Sequence, residues 1–112
     1  MKIYSAQSGY AYQYSYSGQR PLAAAKGAEF VFSASADRKT WFDVSVRIEA
    51  PAVHAWESEH GRTLSASEWY ALAKMALFAA FDERATPAAM RASPVRLRQA
   101  DVAAILEQLG RE

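Results

Sequence analysis

A chain of 112 residues, 51% of them apolar, is long enough to bury one sizeable core and falls in the size range of a single domain. Its 13 basic and 12 acidic side chains leave a formal charge of +1, which gives no general electrostatic case for nucleic acid or an anionic membrane. With no cysteine, a disulfide framework, thiol chemistry and thiolate metal sites are excluded.

The opening residues, MKIYSAQSGY, contain no apolar segment long enough for a signal peptide, and the expectation is a cytoplasmic, bacterial-type protein. The first half is then patterned at period two, the signal of strands. Tyr10, Tyr12, Tyr14 and Tyr16 alternate with Ala11, Gln13 and Ser15, so all four phenols project from one strand face. Ser17-Gly18 is expected to end that strand. Residues 19–27, with Pro21 and the linker-like Leu22-Ala23-Ala24-Ala25-Lys26-Gly27, follow as a connection. A second strand is predicted over 29–35 around Phe30 and Phe32, then a hairpin loop over 36–40. In the third, over 41–49, Phe42, Val44, Val46 and Ile48 share one face, and Trp41, Asp43, Ser45 and Arg47 the other. Such alternation marks an antiparallel sheet with one face on the core and one in water.

The second half changes to helical period. Pro51 suits a first helical position, Val53, Trp56 and His60 fall on one face, and Gly61 can end that short helix. Ser65-Ala-Ser-Glu68 matches a capping box, predicting a long helix from Ala66 to about Arg84. Over residues 69–81 only Lys74 interrupts an apolar run, too short to span a bilayer and read as the central helix of the core. One face clusters Tyr70, Leu77, Phe78 and Phe81 around Lys74. The other carries Leu72, Ala73, Ala76, Ala79 and Ala80, small enough for close approach to the sheet or a neighbouring helix. Residues 85–94 read as a further linker-like stretch, 95–98 as a possible short extended segment, and 99–109 as a last amphipathic helix stopped by Gly110. The expected class is α+β: a three-stranded antiparallel sheet followed by helices packed on one face, in the order β-β-β-α-α-(β)-α. It forms a single domain over 1–112, strand-rich to 49 and helical from 50. No parallel crossover is suggested.

Local motifs carry little chemistry. Lys26-Gly27-Ala28-Glu29-Phe30-Val31-Phe32 partly matches an aromatic strand motif of RNA-recognition domains, but Ala28 and Glu29 break it and the element order is wrong. The helices around Gly61-Arg62-Thr63-Leu64-Ser65 do not make a helix-turn-helix, because the second offers almost no polar side chains to a groove. Glu57-x-x-His60 has di-iron spacing but occurs once, and His60 stacked near Trp56 at a helix C-terminus is the simpler reading; no metal or cofactor is expected. Mixed charges from Arg84, Arg91, Arg96, Arg98 and Arg111 with Asp82, Glu83, Asp101, Glu107 and Glu112 read as a solvated surface. No nucleophile elbow, phosphate-cradling glycine loop or dinucleotide fingerprint is found, which leans against an enzyme.

Three functions are left open. The leading one is a protein-interaction or accessory module, self-associating as a homodimer or binding another protein. Its contact would be Tyr70, Lys74, Leu77, Phe78 and Phe81, because one thin sheet and two short helices leave that helix face uncovered. The second is single-stranded nucleic-acid binding on outward tyrosines, Tyr10, Tyr12, Tyr14 and Tyr16, with Trp41 and Arg47 beside them. The near-neutral charge counts against it, and the preference of aromatics for cores favours inward rings. The third is a small enzyme or ligand carrier with a pocket near Lys74, either desolvated and reactive or snorkelling over the aromatic rings.

Overall fold

In the computed structural model, which describes residues 1–22 and 26–110, the strands are β1 (Lys2–Ser5), β2 (Ala11–Pro21), β3 (Gly27–Ser35), β4 (Phe42–Glu49) and β5 (Val95–Leu97). The helices are α1 (Ala50–His60) and α2 (Ala66–Glu83), then α3 (Pro87–Ala92) and α4 (Gln99–Gln108). Within the expected linker-like segment Ala23, Ala24 and Ala25 lie outside the described residues, as do Arg111 and Glu112.

The class is α+β, and the expected three-stranded antiparallel sheet is corrected to a mixed sheet of five strands in the order β1-β2-β3-β4-β5. The first four form an antiparallel meander, and β5 joins β4 in parallel, with Val46 opposite Val95 and Ile48 opposite Leu97. The crossover that the sequence did not suggest is therefore present, built from α1, α2 and α3. The 85–94 stretch holds α3, capped by the Thr86 hydroxyl, which accepts from the Ala89 amide at 3.1 Å. Arg84 supports it from the side, donating to the carbonyls of Ala89, Met90, Ser93 and Pro94 at 2.7–3.4 Å. A guanidinium here supplies the donors that the end of so short a helix lacks.

One sheet face carries the core. Tyr12, Tyr14, Phe30, Phe32, Ala34, Val44, Val46, Ile48, Val95 and Leu97 bury against Val53 and Trp56 of α1, Leu72 to Phe81 of α2, Met90 of α3, and Val102 and Leu106 of α4. On α2, Leu72, Ala73, Ala76 and Ala80 are buried as the small-residue face predicts, while Ala79 is exposed. The capping box is complete: the Glu68 amide donates to the Ser65 hydroxyl at 3.2 Å and the Ser65 amide to Glu68 Oε1 at 3.0 Å. Gly61 ends α1 in the left-handed region, φ 65°, with its amide on the Glu57 carbonyl at 2.8 Å.

Gly18 does not end β2. The pairing to β3 shifts register between Tyr16 and Gly18 (φ 150°), so the strand bulges and runs on to Pro21. The bulge exchanges faces: Tyr16 pairs with Phe32 on the core side, but Arg20 now pairs with Glu29 on the open side. Glu29 in turn pairs with Arg47 and Arg47 with Arg96, giving a charged row across four strands. Glu29 accepts from Arg20, from the Ser45 hydroxyl and from Arg47 Nε at 3.1 Å. The Ser45 hydroxyl first, then Arg20, draw its carboxyl down to about 2.

A carboxyl whose folded pKa is depressed stabilises fully above its unfolded range near 4.5, and that contribution fades as pH falls toward about 2. Glu29→Gln is accordingly expected to cost about 1–3 kcal/mol at neutral pH, the half-exposed arginines being partly screened by water. Urea denaturation near pH 7 and near pH 3 reads it, with the gap between parent and variant closing in acid. A gap that stayed constant across that range would assign the acid sensitivity to other carboxylates.

Candidate interaction site

Tyr12, Tyr14 and Tyr16 of β2 lie on the core side, where they meet α2, while Tyr10 precedes the strand. Tyr12 stacks on Phe81 with centroids 4.1 Å apart and planes 8° apart. Tyr14 meets Phe78 edge-on at 5.4 Å, and Tyr16 meets Tyr70 edge-on at 5.0 Å. From β1, which the sequence reading missed, Tyr4 stacks on Phe78 at 4.3 Å and 5°. Its hydroxyl donates to Asp82 Oδ2 at 2.7 Å, and that bond, with burial, pushes the Tyr4 phenol up to about 12. The Gln7 amide donates to Asp82 Oδ1 at 2.8 Å and the Ser8 hydroxyl to the Phe81 carbonyl at 2.8 Å, so the β1–β2 turn is tied to the last turn of α2.

These contacts divide the candidate residues. Leu77 and Phe81 are fully buried, and so is Tyr12, with Tyr14 at 5% exposure. Tyr10 is 39% exposed beside Tyr12, just before β2. Arg47 lies on the opposite, open sheet face with Glu29, and Trp41, 38% exposed, precedes β4. The tyrosines therefore do not form one surface with Arg47. What the structure does bring together at the surface is part of both sets: Tyr16, 42% exposed, with half-buried Tyr70, Lys74 and Phe78.

Lys74 sits over this patch, its ammonium 5.9 Å from the Tyr14 ring centroid and 5.8 Å from that of Phe78. Lys2 of β1 stands beside it, because the register places Lys2 opposite Tyr14. The contact with the Lys2 amine, followed by burial, lowers the Lys74 pKa. Burial raises the Tyr14 phenol while the Lys2 charge works against it. Among the described residues neither lysine has an ion-pair partner. Two neighbouring cations on an aromatic bed, with no carboxylate between them, make a place where an anionic group gains on both sides.

Comparison with protein-family models, with curated proteins and with solved structures found no match.

Elsewhere, a concavity of about 540 Å³ between sheet and helices is walled by Phe30, Leu64 and Trp69, with Lys26 and His54 at its rim; Lys74 does not line it. His60 stacks on Trp56 at 4.2 Å and 13°, and His54 Nε2 is 3.9 Å from Glu57. Among the described residues no three metal-ligating side chains converge, and no helix is long and apolar enough to cross a membrane. Lys2 and Tyr4 escape sequence reading because a four-residue strand is too short to show a period, and Lys2 reaches Lys74 only through its register with β2.

Proposed function

We propose that this is a cytoplasmic protein-interaction module that holds an acidic segment of a partner protein against Tyr16, Tyr70, Lys74 and Phe78. The observation that carries the reading is the unpaired Lys2–Lys74 couple over the rings of buried Tyr14 and half-buried Phe78. Tyrosine and other aromatics anchor interface centres, and cations beside them select acidic partners and speed encounter. A second copy is a poorer occupant than an acidic partner. Leu77 and Phe81 are already fully buried, Phe81 against the rings of Tyr4, Tyr12 and Tyr14, and a two-fold contact through this patch would gather four lysine ammoniums. A protein segment is favoured over nucleic acid because the inner rings, Tyr12 and Tyr14, cannot stack on bases.

The test is an amide chemical-shift titration with poly-L-glutamate as the acidic probe. Saturable shifts are expected in β1 and along residues 70–78. Lys74→Glu is expected to weaken binding by at least about tenfold, as loss of a charge-assisted contact with added repulsion requires, with thermal stability nearly unchanged. Binding equal in parent and variant would overturn the proposal. So would saturable shifts with an oligothymidylate and none with poly-L-glutamate.

A further inference from the structure

A second site lies on the other side of the sheet, where the parallel strands β4 and β5 both end. Arg47 and Glu49 from β4, Arg96 and Leu97 from β5, Pro51 and Ala52 from the first turn of α1, and Arg98 and Gln99 entering α4 wall a concavity of about 380 Å³. That is within the range of sites for small ligands. Three guanidiniums and one carboxylate line it, leaving two positive charges.

The arrangement is costly without a ligand. Arg47 and Arg96 are direct neighbours across the β4–β5 pair, and like charges directly opposite one another destabilise a sheet. Two carboxylates offset this only in part. Arg47 donates through Nε to Glu29 at 3.1 Å, and Arg96 through Nη2 to Glu49 at 3.0 Å. Each guanidinium has five N–H donors in a planar fork, so most remain for another acceptor. Arg98 adds a third fork, and among the described residues no carboxylate pairs with its side chain. An isolated surface arginine would be unremarkable, but three converging on one concavity, with apolar Pro51, Ala52 and Leu97 alongside, match a particular ligand shape. It has a compact oxyanion of about two negative charges and a less polar remainder.

We propose that this cleft binds the phosphate monoester of a small molecule, the phosphoryl oxygens held by Arg47, Arg96 and Arg98 and the esterified group lying along Pro51, Ala52 and Leu97. A phosphate monoester carries close to two negative charges at neutral pH, its second ionisation lying near pH 6. The inference is independent of the Lys2–Lys74 patch, since it uses the opposite sheet face and none of the same residues.

The probes are adenosine 5′-monophosphate, inorganic phosphate and adenosine, each titrated while the backbone amides of Arg47, Leu97, Arg98 and Gln99 are followed by NMR. The expected result is saturable binding of the monophosphate, weaker binding of inorganic phosphate and none of adenosine. Arg98→Gln is expected to weaken monophosphate binding by at least about tenfold without moving the melting temperature, since an exposed side chain is removed. Arg96→Gln is expected to weaken monophosphate binding by a similar factor, and binding should weaken as pH falls below about 6, where the dianion is lost. Adenosine binding as tightly as its phosphate would overturn the proposal, as would monophosphate affinity unchanged in both variants or no saturable shift. Inorganic phosphate binding as tightly as the ester would overturn the claim for an esterified ligand.

Discussion

Gly27→Ala is expected to remove about 3–5 kcal/mol of stability, a large share of the 5–15 kcal/mol typical of a domain. Gly27 opens β3 at φ 144°, in the region that side chains avoid. A Cβ there would fall inside contact distance of the Ile48 carbonyl oxygen and 2.9 Å from the Ala50 nitrogen. Both are backbone atoms, and neither can retreat cheaply. The Ala50 amide donates to the Lys26 carbonyl at 2.6 Å, and Gly27 pairs with Glu49, so the close approach joins the start of β3 to the start of α1. Gly18→Ala supplies the control, because its φ of 150° is similar while a Cβ would meet nothing within 4 Å. Only the conformational cost, about 1–2 kcal/mol, should appear there. Urea denaturation followed by far-UV circular dichroism would separate the two, and equal losses would show that crowding at Ile48 contributes nothing.

Phe81→Ala is expected to cost about 3–5 kcal/mol, the range for truncating a buried aromatic whose site cannot collapse. Its ring is fully buried, stacked on Tyr12 and within 6.0–6.4 Å of the Tyr4 and Tyr14 centroids. Three strand-borne rings would lose a shared partner. Phe78→Ala should cost clearly less, about 1–2 kcal/mol, because that ring is only half-buried and its cavity would open to water. A larger loss at Phe78 than at Phe81 would contradict the assignment of inner and outer rings.

Much of this fold was legible where the signal is local. The capping box at Ser65 and Glu68, Pro51 and Gly61 around α1, and the alternation of Phe42 to Ile48 each depend on neighbours in the chain. What escaped depends on distant partners. The strand β1 is four residues, too few for a period, and the possible extended segment at 95–98 carries nothing that shows it pairs in parallel with β4. Gly18 reads as a terminator in the sequence because glycine marks strand ends and bulges alike. The omission of β1 fed the expectation of an uncovered helix face: its Tyr4, and the inward turn of Tyr12, supply cover for Phe81, and Leu77 is fully buried as well. Lys74 stands out in the sequence, whereas Lys2 does not; Arg96 and Arg98 read there as part of a mixed surface, and Arg47 as a neighbour of the tyrosines. Only pairing across the sheet shows that Arg47 and Arg96 are neighbours.

The parallel closure of the sheet also bears on the order of assembly. Strands β1 to β4 can zip hairpin by hairpin, each from the segment just made. The last strand cannot pair until residues 50–94 have been placed, a loop closure longer than that of any hairpin in the meander. The meander is thus the natural nucleus, and β5 with α4 the late-arriving flap. The stack of Tyr12 on Phe81 closes a longer loop still, so it too waits until α2 has docked on the finished meander.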